Sequence, residues 1–276
     1  MAALRPKCEV KVTVCSGEII SVSIATYDCC DVRIAALSRE EAVAVLDAAA
    51  RRRESLAVHM CNAFSLSTAL SDNSHRSALT RGDLCLADGA PVAWVGRRRG
   101  YRNMTKPVRG PSLMGDLMER GLSWGAKHYF YGGSPAVVEE LSAATVARFP
   151  GLRIVGSESP PFRTLTAGEM AAAVTRIRTS DAHFVWVGLG TPKQDFFVSQ
   201  VSRQLLSVQV GVGAAFDFMA GAKREAPSWL QGYGLEWTFR LANEPRRLWR
   251  RYFIGGSRFV AAVIRDDMRS WRFARR

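Results

Sequence analysis

Short apolar runs alternate with capped helical segments through the middle of the chain, and this alternation predicts most of its elements. Runs of four to six residues that are rich in apolar and β-branched side chains predict buried strands. They cover residues 56–60, 127–131, 152–155, 182–187 and 207–210. Strands that alternate with helices in this way are typical of a parallel sheet with helices on both faces.

Helix start signals stand between these runs. Ser134, with Pro135 at the first helical position, predicts a helix after the second run. Ser38 and Thr166 each begin a capping box, since a Glu follows three residues later. The predicted helices cover residues 39–53, 135–149, 167–179 and a segment that begins at 191, and an N-terminal hairpin is predicted from residues 10–14 and 18–24.

The C-terminal residues 223–276 are strongly basic and predict an appendage on a core of residues 1–222. They hold thirteen Lys and Arg against five Asp and Glu. A helix over residues 246–253, turned by about 100° per residue, has one arginine face and one apolar face. The arginine face holds Arg246, Arg247, Arg250 and Arg251. Such a helix lies on a membrane surface or binds phosphate groups, and the alternative is a surface helix whose apolar side packs on its own domain.

The whole chain of 276 residues carries a net charge of +13, which indicates a polyanionic partner. A second basic cluster at residues 97–109 holds six Lys and Arg and no acid. Nucleic acid, anionic lipid and a diphosphate substrate all fit this charge. The six cysteines form no Cys-x-x-Cys pair, so we expect reduced thiols in a cytosolic protein and no zinc site. We find no signal-peptide pattern and no apolar run long enough for a membrane span, so any membrane contact is expected to be peripheral.

Glycines follow three of the predicted strands, at residues 132–133, 188–190 and 211–213. In parallel sheets, ligands bind beyond the carboxyl ends of the strands, where glycine lets backbone N–H groups approach a charged group. The three loops indicate a nucleotide-phosphate site, and the alternative is three tight turns. A dinucleotide fold is not favoured, because the third glycine of its fingerprint is missing after both Gly-x-Gly pairs.

Asp88 follows the apolar stretch at residues 83–86 and precedes Gly89. A carboxylate at a strand end can accept the proton of a sugar hydroxyl that attacks an anomeric carbon. Asp-Gly is also a common turn pair, so the residues alone leave both roles open.

The order of these motifs resembles the WecG/TagA/CpsF glycosyltransferases, glycosyltransferase family 26, over about residues 30–255. The most specific blocks are Gly-Leu-Gly-Thr-Pro-Lys-Gln at residues 188–194 and Gly-Leu-Glu-Trp at residues 234–237. The resemblance implies a Rossmann-like α/β fold and an inverting enzyme that needs no metal and no cofactor. Such enzymes transfer a sugar from a UDP-sugar to a polyprenyl-diphosphate-linked saccharide at the inner face of the plasma membrane, in cell-surface polysaccharide synthesis.

The resemblance also implies roles for single residues. Asp88 matches the catalytic base of the family, and Asn62 matches the Asn of its Thr-x-Asn motif. The UDP-sugar site would be lined by Gly132, Gly133, Gly188, Gly190, Lys193 and Gln194. The lipid diphosphate and the anionic membrane surface would be met by Arg240, Arg246, Arg247, Arg250 and Arg251.

Three blocks depart from the family pattern. Met60 replaces the Thr of Thr-x-Asn, Pro107 and Ser112 replace the Arg and the Asp of a second block, and Glu225 replaces an Arg. Near the second departure, Arg109 or Lys106 would supply the positive charge that contacts the substrate. These changes keep open a non-catalytic membrane protein, and the charge alone keeps open a nucleic-acid-binding protein, although no nucleic-acid-binding motif is present. We expect no nucleic-acid partner, and a homo-oligomer is compatible with the basic tail.

Overall fold

The computed structural model describes residues 8–9, 23–227, 230 and 235–274, and strands alternate with helices over most of this range. The strands are β1 (Cys8–Glu9), β2 (Ser23–Ile24), β3 (Thr26–Cys29), β4 (Val32–Ala35), β5 (Leu56–Cys61), β6 (Leu84–Ala87), β7 (Lys127–Gly132), β8 (Arg153–Glu158), β9 (Phe184–Gly188) and β10 (Val208–Gly211). The helices of the core are α1 (Arg39–Arg51), α2 (Ala63–Ser71), α3 (Asn73–Arg81), α4 (Ala90–Arg98), α5 (Gly110–Leu122), α6 (Pro135–Arg148), α7 (Ala167–Thr179), α8 (Lys193–Val201), followed by a 3₁₀ turn (Ser202–Gln204), and α9 (Ala215–Met219). The appendage contains α10 (Glu236–Asn243), α11 (Pro245–Trp249), a π-helical segment (Arg250–Gly255) and α12 (Gly256–Ala274).

Six strands form one parallel sheet in the order β6–β5–β10–β9–β7–β8. All five runs predicted as strands lie in it, so the predicted fold class, a Rossmann-like parallel sheet with helices on both faces and a helical C-terminal appendage, is confirmed. The chain runs from β5 outward to β6, crosses to β7 and β8, and returns to fill the centre with β9 and β10. The direction of winding therefore changes beside β5, and open α/β sheets bind ligands in the crevice above such a point.

Both faces of the sheet are buried, which explains why its strands read as nearly continuous apolar runs. Along β9, Phe184 and Trp186 point to one face, whereas Val185 and Val187 point to the other. The first pair packs in a cluster that includes side chains of α1 and α5, and the second pair packs with α7 and α8. The sheet is thus a rigid support for the loops at its carboxyl edge.

The hydrogen bonds at the helix starts confirm the predicted caps. Ser38 and Thr166 each form a complete capping box with the Glu three residues later. The Ser134 hydroxyl accepts a hydrogen bond from the backbone N–H of Val137, and Pro135 is the first helical residue. The helix predicted from residue 191 is α8, which begins two residues later.

The N-terminal elements are only partly described. Residues 10–14 and 18–22 of the predicted hairpin lie outside the described residues. β2 at its end is present and pairs antiparallel with β1. β3 and β4 form a second antiparallel pair, which the sequence pattern does not predict.

The basic helix predicted over residues 246–253 is not one regular α-helix. α11 ends at Trp249, and the next six residues are π-helical. A π turn closes hydrogen bonds from residue i to i+5, so each residue advances by less than the predicted 100°. Of the side chains on the predicted apolar face, Leu248 is buried, whereas Phe253 is 62% exposed.

Helix α12 docks the appendage onto the core. Its Phe259, Ala262 and Val263 are buried in one cluster with Leu66 and Ala69 of α2. The boundary between residues 222 and 223 stays a prediction. Within the described part of the chain, no helix combines the length and apolar character needed to cross a membrane.

Candidate active site

A cavity of about 790 Å³ lies at the carboxyl edge of the parallel sheet. Residues that follow all six strands line it, together with parts of the appendage. Asp88, after the edge strand β6, and Phe162, after the opposite edge strand β8, both belong to its walls. Ten predicted site residues line this cavity, namely Asn62, Asp88, Arg109, Gly133, Gly188, Gly190, Lys193, Gln194, Arg240 and Arg251.

Three predicted site residues have other positions, namely Gly132, Arg246 and Arg250. Gly132 ends β7, where a Cβ atom would lie 2.6 Å from the carbonyl carbon of Gly188, so glycine lets β7 and β9 approach closely here. Arg246 and Arg250 are exposed on the appendage. The side chain of Arg247 lies outside the described part of the structure.

Asp88 and Asn62 are brought together by the parallel pairing of β5 and β6. The backbone N–H of Asp88 donates to the carbonyl of Cys61 at 2.8 Å, which continues the sheet ladder past its last paired residues. The Nδ2 of Asn62 donates to Oδ2 of Asp88 at 3.4 Å. Asp88 faces the cavity and is otherwise surrounded by protein.

The environment of Asp88 suits a proton acceptor. Burial raises the pKa of its carboxyl above the usual range, and Glu236 adds to this effect. Arg240, the hydrogen bond from Asn62, and Arg109 act in the opposite direction, but burial dominates. A carboxylate with a raised pKa is a stronger base than an ordinary Asp.

Helix α8 presents its first turn to the cavity. Lys193 is exposed, and its ammonium group donates to the carbonyl of Phe162 at 3.2 Å. Gln194 is buried, and its Nε2 donates to the carbonyl of Gly211 at 2.9 Å. Lys193 therefore ties the loop after β8 to α8, while Gln194 ties α8 to the end of β10.

The next residue, Asp195, anchors the same helix in the interior. Its Oδ1 lies 3.0 Å from Nδ1 of His59, and its Oδ2 lies 2.9 Å from Nε2 of His75. All three side chains are buried. Because His59 lies on β5 and His75 on α3, the cluster fixes α8 against the strand that leads to Asn62. The sequence analysis did not identify this cluster, because its members are up to 136 residues apart.

The end of the cavity near Asp88 is basic, and its arginines are held by acids. The Arg109 guanidinium donates to Glu236 at 2.8 and 3.1 Å and to Glu225 at 3.0 Å. Its Nη1 donates to the hydroxyl of Ser112 at 3.1 Å. Two of the three departures from the family pattern, Ser112 and Glu225, therefore meet at Arg109. The third, Met60, is buried in β5 and lines the cavity.

Two features of the site were missed by the sequence analysis. Residues 160–167, after β8, line the cavity, and Phe162 within them is 90% exposed. The signal in the sequence was the pair Pro160–Pro161 directly before an aromatic residue at the end of a strand. Glu236 appears in the sequence analysis only as part of the Gly-Leu-Glu-Trp block, and no nearby residue in the sequence indicates its partner Arg109. In the described ranges, no three His, Cys, Asp or Glu side chains are grouped to hold a metal ion; metal independence stays a prediction.

Comparison with known protein families identifies the family of the chain. Residues 27–273 match the model of the glycosyl transferase WecG/TagA/CpsF family. The chain belongs to this family. The resemblance predicted from the motifs is thereby confirmed, and so is the enzyme class, a glycosyltransferase.

A curated relative of this glycosyltransferase has a named activity. The chain is 28% identical over 204 residues to the N-acetylglucosaminyldiphosphoundecaprenol N-acetyl-beta-D-mannosaminyltransferase of Bacillus spizizenii. The match covers 73% of this chain and 76% of the relative. The roles predicted for single residues are tested neither by this match nor by the family match.

Proposed function

We propose that this glycosyltransferase transfers a sugar from a UDP-sugar to a polyprenyl-diphosphate-linked N-acetylglucosamine at the cytoplasmic face of the membrane. The relative's name describes a transfer onto such an acceptor, which supports the acceptor class. The observation that carries the proposal is the cavity itself. It joins a partly buried carboxylate and a cluster of arginines to glycine loops at the carboxyl edge of a parallel sheet.

The width of the sheet suggests how the donor lies. Five spacings separate β6 from β8, and neighbouring strands are about 4.8 Å apart, so the edge is about 24 Å wide. The glycine loops that follow β7, β9 and β10 lie between these edges. The N-terminus of α6, which follows the first of these loops, and Lys193 suit the diphosphate, and Phe162 beyond β8 suits the uracil ring. The transferred sugar then points toward Asp88.

Asp88 serves as the general base in this arrangement. It accepts the proton of the acceptor hydroxyl while that oxygen forms a bond to the anomeric carbon of the donor sugar. The bond from that carbon to the diphosphate oxygen breaks, UDP leaves with the electron pair, and the configuration inverts. The positive N-terminus of α6 and the Lys193 ammonium stabilise the negative charge that develops on UDP.

The appendage serves the acceptor. Arg240 and Arg251 line the cavity, the first within electrostatic reach of Asp88 and the second over the ring of Phe64, and both suit the diphosphate of the lipid carrier. Arg246 and Arg250 are exposed and suit anionic lipid headgroups. This division gives the predicted lipid arginines two tasks, diphosphate binding inside the cavity and membrane attraction outside it.

Two further expectations accompany the proposal. We propose a peripheral location on the inner face of the plasma membrane, supported by exposed apolar side chains in the basic appendage. The expected absence of a nucleic-acid partner and the compatibility with a homo-oligomer stay predictions.

Calorimetry with UDP and a panel of UDP-sugars tests the donor. We expect micromolar binding of UDP without metal and no gain on adding Mg²⁺, with the tightest-binding sugar identifying the donor. Incubation of that donor with N-acetylglucosaminyl-diphosphoryl-undecaprenol should then yield a disaccharide lipid. A folded protein that binds none of the UDP compounds would contradict the UDP assignment, and a donor transferred only to other acceptors would contradict the acceptor.

A further inference from the structure

The carboxylate of Glu236 joins two arginines that line the cavity. Its Oε1 accepts hydrogen bonds from Arg109 at 2.8 Å and from Arg240 at 3.1 Å, and its Oε2 accepts one from Arg109 at 3.1 Å. Arg109 belongs to the core, whereas Glu236 and Arg240 lie one turn apart on α10. The Glu236 side chain is only 19% exposed, so this three-residue contact is largely shielded from water.

Asp88 lies within the field of these three groups. Arg240 and Arg109 favour the ionised form of its carboxylate, and Glu236 opposes them. Asn62 adds a neutral hydrogen-bond donor. Among the side chains that the structure describes, the charged ones that line the cavity are Asp88, Arg109, Arg163, Lys193, Asp217, Glu236, Arg240 and Arg251. Glu236 is the acid among them that contacts both Arg109 and Arg240.

We infer that Glu236 is a positioning residue supplied by the appendage, which holds Arg109 and Arg240 beside Asp88 and offsets their positive charge. The inference rests on the proposed role of Asp88 as the base. Without Glu236, two guanidinium groups would face the carboxylate with less opposing charge, and Arg240 would be free to turn toward Asp88. A carboxylate stabilised in this way accepts a proton less readily, so the acceptor hydroxyl would be activated less well.

The same contact makes the base depend on appendage docking. α10 supplies Glu236 and Arg240, and α12 holds the appendage on α2 through its buried face. The core alone retains Asp88 and Arg109 but lacks the acid between the two arginines. The appendage would therefore set the reactivity of the base in addition to binding the acceptor.

Glu225 provides a matched control, because it bonds the same guanidinium. Its Oε2 accepts one hydrogen bond from Nη2 of Arg109 at 3.0 Å. Its side chain is 36% exposed, nearly twice the value for Glu236, so water screens its charge more strongly. Glu225→Gln and Glu236→Gln each remove one negative charge from Arg109, but only the second removes the acid that bridges to Arg240.

The test compares the wild type with these two variants by two measurements. The first is the pH dependence of kcat/KM with the UDP-sugar that the panel identifies. The second is the titration of the Asp88 carboxyl, followed by ¹³C NMR of Asp-labelled protein and assigned with Asp88→Asn. For Glu236→Gln we expect the acid limb and the Asp88 titration to move to lower pH, and the plateau of kcat/KM to fall roughly tenfold. Glu225→Gln should leave both the acid limb of kcat/KM and the Asp88 titration in place. Glu236→Asp keeps the negative charge, so both should lie close to their wild-type positions.

The outcomes separate this inference from the proposed function. The NMR titration needs no substrate, so it decides the effect of Glu236 on Asp88 even if no UDP-sugar is transferred. A folded Glu236→Gln protein whose Asp88 titrates as in the wild type would overturn the inference. A lower plateau without any shift of the acid limb would also overturn it, because that pattern indicates a structural role alone.

Discussion

The side-chain amide of Asn62 lies 3.4 Å from the carboxylate of Asp88, and helix α2 determines which end of that amide faces the acid. The Oδ1 of Asn62 caps α2 by accepting hydrogen bonds from the backbone N–H groups of Phe64 and Ser65. This leaves Nδ2, a donor, to face Asp88. A helix cap thus orients a side chain of the candidate catalytic pair, and no separate element is needed to hold it.

Replacement of Asp88 by Asn should lower kcat by roughly 10²–10⁴-fold, since this is the usual contribution of a positioned general base. In the wild type, kcat/KM should fall as the pH drops through the pKa of Asp88, because only the ionised carboxylate accepts a proton. Burial raises that pKa, so the acid limb should lie above the range of an ordinary Asp. Steady-state kinetics across pH on both proteins measure these effects.

Binding and folding controls make this result specific. The Asp88→Asn protein should bind UDP as tightly as the wild type and unfold at a similar temperature. Asp181→Asn removes an exposed carboxylate that pairs with Lys127 and should keep the wild-type rate. If Asp88→Asn turns over within a few-fold of the wild type, Asp88 is not the base.

The elements that the sequence predicted well are those set by local signals. The capping boxes at Ser38 and Thr166 and the glycines after β7, β9 and β10 depend on residues within a few positions of one another. The position of Asp88 at the end of a strand was recognised for the same reason. These short-range signals were enough to predict five of the six sheet strands and four of the nine core helices that the structure describes. Most of the ten cavity residues were instead named from the resemblance to the family.

The remaining contacts of the site join residues that are far apart in the sequence, so they could not be predicted from short sequence patterns. Arg109 was expected to contact substrate, but whether it meets an acid of the appendage depends on a partner 127 residues away. The π-helical segment was missed because the prediction assumed a constant α-helical turn beyond Trp249. The cluster around Asp195 combines β5, α3 and α8, and only the topology of the sheet brings these elements together.

Replacement of Phe162 by Ala should weaken UDP binding. Stacking of an aromatic side chain on a base contributes about 1–3 kcal/mol, so the Kd should rise roughly 5- to 150-fold. Stacking acts on the nucleotide in both the ground and the transition state, so kcat at saturating donor should change little. Calorimetry with UDP and saturation kinetics with the donor measure the two effects.

Phe162→Trp is the conservative partner of this experiment, and it should retain most of the affinity because it keeps an aromatic face. An Ala variant that binds UDP as the wild type does would show that the nucleobase lies elsewhere in the cavity. An Ala variant with unchanged Kd but reduced kcat would point instead to a role of this loop in the chemical step.

Replacement of Asp195 by Asn should destabilise the protein by about 3 kcal/mol, since it removes a buried carboxylate that is hydrogen-bonded to both His59 and His75. Burial alone would raise the pKa of Asp195, but the hydrogen bonds from the two histidines outweigh it and hold the pKa below the usual range. A lowered folded-state pKa stabilises the protein above the unfolded-state value of about 3.9, and this stabilisation is lost as the pH falls below it.

Chemical denaturation at several pH values tests this sign. The difference in the free energy of unfolding between the wild type and Asp195→Asn should be largest near neutral pH and should shrink below about pH 4. Asp181→Asn, which breaks exposed ion pairs with Lys127 and Arg53, should cost no more than about 1 kcal/mol. A difference for Asp195→Asn that stays constant down to low pH would exclude the charge of Asp195 as its source.

The exposed apolar surface of the appendage should bind membranes. Phe253, Val260, Ile264 and Met268 are exposed on the π-helical segment and α12, and the last three lie at four-residue spacing on one face. This face is distinct from the buried face that docks on α2. Exposed arginines nearby add attraction to anionic lipid, about 1 kcal/mol for each residue at the surface. We therefore expect binding to vesicles that contain phosphatidylglycerol, and weaker binding at high salt.

Phe253→Asp tests this face. It removes a side chain whose burial in the membrane would contribute about 1.5–3 kcal/mol, and it adds a negative charge that anionic lipid repels. Vesicle affinity in a sedimentation assay should fall at least about tenfold, while binding of UDP should not change. Leu206→Asp is the matched control, since Leu206 is 67% exposed but precedes β10, at the opposite edge of the sheet from the cavity. Equal losses for the two variants would show that the charge change, and not the appendage face, weakens binding. Full vesicle affinity in Phe253→Asp would place the membrane contact on another surface.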